Sequence, residues 1–153
     1  MALLEGIGKI TVVCAASPGY IVTRLQALIM NEAARMIEDG VATADDIDQA
    51  TRYGLGLRFV AMGVVEFIDF GGVDILHHAS RYLAQHLSAE RYTAPPVVGR
   101  LVAQGHIGLK SGQGFYDQRH RDADAYRLDV LRRLLAMLRQ VGAYRPPGAD
   151  PTG

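Results

Sequence analysis

Apolar residues recur at helical spacing along most of the chain. The longest such pattern runs through Ile21, Leu25, Leu28, Ile29, Ala33, Met36 and Ile37. Seven positions at this period make one broad stripe over about five turns. Thr23, Arg24, Gln26, Asn31 and Glu38 lie off the stripe. Pro18 suits a first helical turn, which has no use for its missing N–H, and Gly40 can close the helix in the left-handed region. The pattern therefore predicts a long central helix from Pro18 to Gly40, with its stripe against a core.

Before it, Ile10-Thr11-Val12-Val13-Cys14 is β-rich and follows a helical scrap from Leu3 to Ile7. A lone strand cannot satisfy its own ladder. After Gly40, Thr43 reads as an N-cap with acids in the first turn, opening a helix through Ile47 that ends at Tyr53-Gly54. Residues 55–69 read as a loop with one short helix, on which Glu66 and Asp69 stand one turn apart. Gly71-Gly72 precede a helix from Val73 to Leu87, with Leu76, Ala79, Leu83 and Leu87 inward. Pro95-Pro96 open a short helix that Gly105 closes, with Val97, Val98, Leu101 and Val102 inward. The glycine-rich stretch from His106 to Asp117 is an ordered loop. A last helix spans about Asp122 to Val141, burying Tyr126, Val130, Leu131, Leu134, Leu135, Leu138 and Val141 and turning Arg127, Arg132, Arg133 and Arg139 to water. Arg145 to Gly153, with three prolines, reads as a disordered tail.

Composition narrows the function classes. The chain has 153 residues, 49% of them hydrophobic, enough for one domain with a core. Sixteen basic and sixteen acidic residues cancel, which leaves no electrostatic footprint for nucleic acid or an anionic membrane. No run approaches the roughly twenty apolar residues of a membrane helix, and Ile10 to Ala16 is too short and too soon followed by structure for a signal peptide. One cysteine, Cys14, builds no internal disulfide framework and suits a reducing compartment, so a cytoplasmic location is expected.

Candidate chemistry is sparse. Gly-x-Gly occurs at 6–8, 54–56 and 112–114, never with the third glycine of a dinucleotide-binding turn. Lys110, beside Gly112 and Gly114, is either a surface lysine on a turn or a cation presented with backbone amides to a phosphate. Asp74, His78, Tyr82 and His86 share a helix face, but the two histidines lie about 12 Å apart along the axis, so no metal site is expected. Glu66 and Asp69 read as a carboxylate pair for acid–base work or as solvated or capping acids. Cys14 has no histidine near it in sequence, and no nucleophile elbow occurs.

Taken in order, Ser17-Pro18-Gly19-Tyr20-Ile21-Val22-Thr23-Arg24-Leu25, Asn31-Glu32-Ala33, Gly40 to Asp48, Gly63 to Asp74, and Gly108-Leu109-Lys110-Ser111-Gly112-Gln113-Gly114-Phe115-Tyr116-Asp117 resemble the C-terminal helical domain of the 3-hydroxyacyl-CoA dehydrogenase family. The resemblance runs from about Gly8 to Asp117. It implies an all-α, multi-helix fold of the 6-phosphogluconate dehydrogenase C-terminal type, with a remnant β-strand at the N-terminus. Residues 1–16 would be the end of a Rossmann domain, 17–144 a substrate-closing and dimerisation domain, and 145–153 a tail. In the family, a Rossmann domain holds NAD and a histidine–glutamate pair, and the helical domain supplies an asparagine. That asparagine falls at Thr23, whose hydroxyl offers less than an amide's paired donor and acceptor. Lys110 falls at a lysine that reaches toward the dinucleotide. The implied partners are an acyl-CoA-type substrate, a second copy of the chain, and a separate Rossmann-domain chain if one completes the enzyme. The alternatives are a stand-alone helical interaction module and a truncated product without activity.

Overall fold

The computed structural model describes residues 2–146. It is helical throughout, with turns and loops between, and no strand forms among the described residues. The chain divides into two compact units, Met1–Asp48 and Gln49–Gly153.

The first unit opens with α1 (Ala2–Gly6), followed by an extended, unpaired run. Ile10, Val12 and Val13 are 95%, 70% and 76% exposed. The strand expected at 10–14 has no ladder because no neighbouring strand is there to accept its hydrogen bonds. Ser17 to Tyr20 then form a tight turn: the Tyr20 N–H donates to the Ser17 carbonyl (3.0 Å), with Pro18 and left-handed Gly19 at the centre. The helix expected from Pro18 therefore starts later, as α2 (Val22–Glu38). Gly40 closes it at φ 69°, as its position implies. The stripe, however, meets no core. No residue of α2 is buried, and Leu25, Leu28 and Ile29 remain 42–69% exposed. Thr43 caps α3 (Ala44–Gln49) reciprocally with Asp46. The Asp46 N–H donates to the threonine hydroxyl (3.2 Å), while the Thr43 N–H and hydroxyl donate to the Asp46 carboxylate.

In the second unit, the helix expected to stop at Gly54 continues instead. It widens into a π-helical turn over Ala50–Gly56 and returns to α-geometry in α4 (Leu57–Ala61). The closest approach inside that wide turn is at Gly56, where a Cβ would stand 3.2 Å from the Thr51 carbonyl oxygen. Residues 55–69 are thus mostly helical rather than loop, since α5 (Val64–Gly71) follows after a break at Met62-Gly63. Next come α6 (Val73–His86), α7 (Ala89–Tyr92), capped by Ser88, α8 (Pro96–Ala103) and α9 (Ala123–Gln140), capped by Asp122.

α6 packs on α5, α7 and α8, and α4 packs on α5 and α9. Val73, Val98 and Val130 are at most 2% exposed and centre this core together with Ala61, Met62 and Leu109. Each buried valine contributes on the order of 1.5–3 kcal/mol. The inward sets expected for α6 and α9 hold only in part. Leu87, Leu131 and Val141 are more than half exposed, and Arg133, expected in water, donates to the Ala61 carbonyl (2.8 Å), tying α9 to α4. Of the expected tail, residues 147–153 lie outside the described residues.

Candidate functional site

The glycine loop owes its shape to one buried acid. Asp69, on α5, is fully buried. Its carboxylate accepts the Phe115 N–H (2.9 Å) on Oδ1 and the Tyr116 N–H (2.8 Å) on Oδ2, and its carbonyl accepts the Leu109 N–H (2.8 Å). Such charge-assisted bonds are the stronger kind, and they compensate the burial of a carboxylate. Two glycines make the approach sterically feasible. A Cβ at Gly114 would collide with the Asp69 carboxylate, and one at Gly108 with the Asp69 carbonyl. Ser111 tightens the loop from inside, accepting the Ile107 N–H (2.9 Å) and reaching the Gln113 carbonyl (2.8 Å).

At the tip of this loop Lys110 turns back to the first turn of α6. Its Nζ donates to both carboxylate oxygens of Asp74, at 2.9 and 2.8 Å, and the pair closes over Gly72, where any Cβ would strike both side chains. The Lys110 hydrogen bond holds the Asp74 carboxyl below its ordinary range. Lys110 is thus neither a loose surface lysine nor a free cation. Its side chain is still 38% exposed, so an incoming anion meets an ammonium already shared with Asp74.

Glu66 and Asp69, one turn apart on α5, do not act together. Glu66 accepts the Tyr126 hydroxyl (2.6 Å) and an Arg121 N–H (3.1 Å), with the Arg121 guanidinium stacked 4.2 Å from the Tyr126 ring centroid. The Tyr126 bond, ahead of Arg121, lowers the Glu66 carboxyl. Burial, followed by the Glu66 bond, pushes the Tyr126 phenol up to about 12. Both acids are spent on structure, a third option beside acid–base pair and solvated cap.

The polar side chains of α6 engage their neighbours. Tyr82 and His86 stack at 4.2 Å, His77 and His78 meet edge to face, and Asp74 goes to Lys110. Among the described residues no three His, Cys, Asp or Glu side chains are grouped to hold an ion.

In the first unit, Thr23 stands exposed in the first turn of α2. It lines a hollow of about 460 Å³ with Val12, Val13, Cys14 and the turn residues Gly19 to Val22. Tyr20 adopts φ 46° there, a left-handed conformation uncommon for a bulky residue. Arg24 reaches back to the Ser17 hydroxyl (3.3 Å), tying the turn to the helix. Thr23 and Lys110 belong to different units. Sequence reasoning missed Asp69 as the loop's anchor and Asp74 as the partner of Lys110. The available signal was the pair Gly108 and Gly114, which implied a close neighbour without naming it.

Comparison with known proteins bears on these same segments. Residues 19–118 match the family model described as 3-hydroxyacyl-CoA dehydrogenase, C-terminal domain. A probable 3-hydroxyacyl-CoA dehydrogenase of Caenorhabditis elegans is 41% identical over 111 residues, covering 72% of this chain and 36% of that protein. A 3-hydroxybutyryl-CoA dehydrogenase of Mycobacterium tuberculosis is 34% identical over 110 residues, covering 72% and 37%. The crystal structure of a 3-hydroxyacyl-CoA dehydrogenase from Archaeoglobus fulgidus superposes with a TM-score of 0.76 at 32% identity, covering 94% of this chain and 50% of that one. The chain therefore spans between about a third and a half of the length of these relatives.

Proposed function

The chain belongs to the 3-hydroxyacyl-CoA dehydrogenase family, and we propose that it serves as the substrate-closing half of an NAD-dependent enzyme that oxidises a 3-hydroxyacyl-CoA or a related 3-hydroxy acid. The observation that carries this reading is the match over 19–118, which contains the Thr23 turn and the Lys110 loop in one ordered set. Hydride transfer needs a bound dinucleotide and a positioned base, and a nucleotide-binding half would supply both. From this half, Thr23 would offer one hydroxyl to the reacting groups. Lys110 would offer the dinucleotide a positive charge, held in place by Asp74. The bare apolar face of α2 supports a homodimer or a separate nucleotide-binding chain as its cover. A cytoplasmic enzyme of fatty-acid metabolism fits this reading.

The test is to join the chain to the nucleotide-binding half of a relative and follow NADH loss with acetoacetyl-CoA. Turnover is expected of the joined protein, and Thr23→Asn is expected to raise it by restoring an amide with two hydrogen bonds. A joined protein that binds NADH and substrate but turns neither over would overturn the reading. The second reading, a stand-alone dimerisation module, is favoured by the threonine at 23. A dimer that stays intact while the joined protein turns nothing over, with Thr23 or with Thr23→Asn, would support it.

A further inference from the structure

Where the glycine loop runs out toward α9, residues 116–121 and the first turn of α5 line a hollow of about 240 Å³. Gln118 forms part of its wall and is only 4% exposed. Its main chain is fully bonded: the N–H donates to the Gly112 carbonyl and the carbonyl accepts the Arg121 N–H, each at 2.9 Å. Its side-chain amide, in contrast, has no hydrogen-bond partner among the described residues. The Nδ1 of His77 on α6 is also unpartnered, but it is sealed off from any ligand, whereas the Gln118 amide opens on the hollow that it lines. A polar group this buried with its donors and acceptor unspent is rare in folded proteins, and the hollow is the side from which a partner can reach it.

The lining sets the charge of that partner. Glu66 and Arg121 are paired at 3.1 Å, and Asp117 is paired with Arg119. The carboxylates and the guanidinium of the lining are thus each matched, so an ionic ligand would bring an uncompensated charge into the hollow. Glu66 still has an oxygen to offer, since the bonds from Tyr126 and Arg121 both fall on Oε1. Tyr116, anchored through its N–H on Asp69, adds an aromatic side chain that is 51% exposed.

We propose that this hollow binds a small neutral molecule carrying a primary carboxamide on a planar ring. Two amides meet donor to acceptor and acceptor to donor, so one ligand group makes two hydrogen bonds to Gln118 and keeps a second N–H for Glu66. A lone hydroxyl, with both functions on one oxygen, spans the separated donor and acceptor of the amide poorly. The Tyr116 ring offers the ligand ring a face or an edge to pack on. A volume of about 240 Å³ lies just under the range of about 300–1,000 Å³ typical of drug-sized pockets and suits a single substituted ring. The site lies within residues 66–121 and needs no nucleotide-binding half, so it and the dehydrogenase reading stand or fall separately.

The experiment titrates the full chain with nicotinamide and benzamide, and with benzoate and N,N-dimethylbenzamide as controls, by calorimetry and by the side-chain NH2 resonances of Gln118. Saturable binding of at least one carboxamide is expected, with both controls at least about tenfold weaker because neither carries the amide N–H donors. The Gln118 NH2 pair should shift on saturation. Gln118→Met should weaken binding at least about tenfold while the unfolding midpoint stays unchanged, since the side chain has no partner in the fold to lose. Failure of either carboxamide to saturate, benzoate binding as well as benzamide, or Gln118 resonances that stay still would each overturn the proposal. So would a Gln118→Met chain that is destabilised, which would show that the amide already serves the fold.

Discussion

The Asp69 loop and the α2 helix treat exposure in opposite ways. Around Asp69 both carboxylate oxygens and the backbone carbonyl are spoken for, and two glycines let the loop close directly on them. Along α2, seventeen residues of strongly patterned helix bury nothing. The loop is a finished object whose partners lie within its own unit, whereas the stripe of α2 is left exposed.

The largest effect should come from breaking the finished region. Asp69→Ala strips the Phe115 and Tyr116 amides of their acceptors and should cost about 3 kcal/mol, read as a lowered denaturant midpoint. Gly114→Ala should approach that cost, because its Cβ collides with the same carboxylate. A loss below about 1 kcal/mol in both would show that the loop does not depend on this contact.

Next in size is the Glu66–Tyr126–Arg121 cluster, where Tyr126→Phe should cost about 1–2 kcal/mol. The pH dependence has two limbs. Glu66 titrates lower in the fold than its ordinary value of 4.5, so its contribution is present above that pH and is lost as pH falls through the folded value. Tyr126 is raised from 10 to about 12, so its contribution is present below pH 10 and is lost as pH rises through 12. Glu66→Gln should flatten the acid limb of a stability–pH curve. An unchanged acid limb would contradict the assignment.

Smaller still is Lys110→Met, since a half-exposed ion pair is worth less than about 1 kcal/mol. In a joined enzyme it should raise the KM for NADH more than it lowers the stability of the fold. The smallest folding effect belongs to α2. Leu25→Gln with Ile29→Gln should change unfolding free energy by no more than about 0.5 kcal/mol, because both side chains are already 42% exposed. The same pair should shift sedimentation from a self-associated species toward monomer at micromolar concentration. A wild-type chain that is monomeric throughout, or a double variant that unfolds, would remove the contrast between the two regions.

Much of this architecture was legible in the sequence. Gly40, Gly72 and Gly105 marked helix ends, Thr43 marked a helix start, and Val98 and Val130 were placed inward. What escaped was tertiary. Periodicity states that a stripe is apolar and says nothing of whether a neighbour arrives, so α2 was expected in a core and lies bare. It also missed the π-turn at Ala50–Gly56, where glycines that usually end helices instead sit within a widened one. For the site, the glycines at 108 and 114 were visible, but Asp69, whose carbonyl and carboxylate they respectively accommodate, was about forty residues away in sequence. Lys110 was legible as a candidate, while its pairing with Asp74 depended on the fold bringing the loop to α6.

The proposed role, closure and orientation in a dehydrogenase whose dinucleotide is held elsewhere, makes the isolated chain inactive by itself. The most direct measurement supplies the repurified chain with acetoacetyl-CoA and NADH and follows absorbance of the reduced cofactor. The account predicts no loss of NADH above the enzyme-free rate, because a hydride acceptor and donor are present with nothing to hold them together. Turnover that persists through successive purification steps and scales with the concentration of the chain would contradict it.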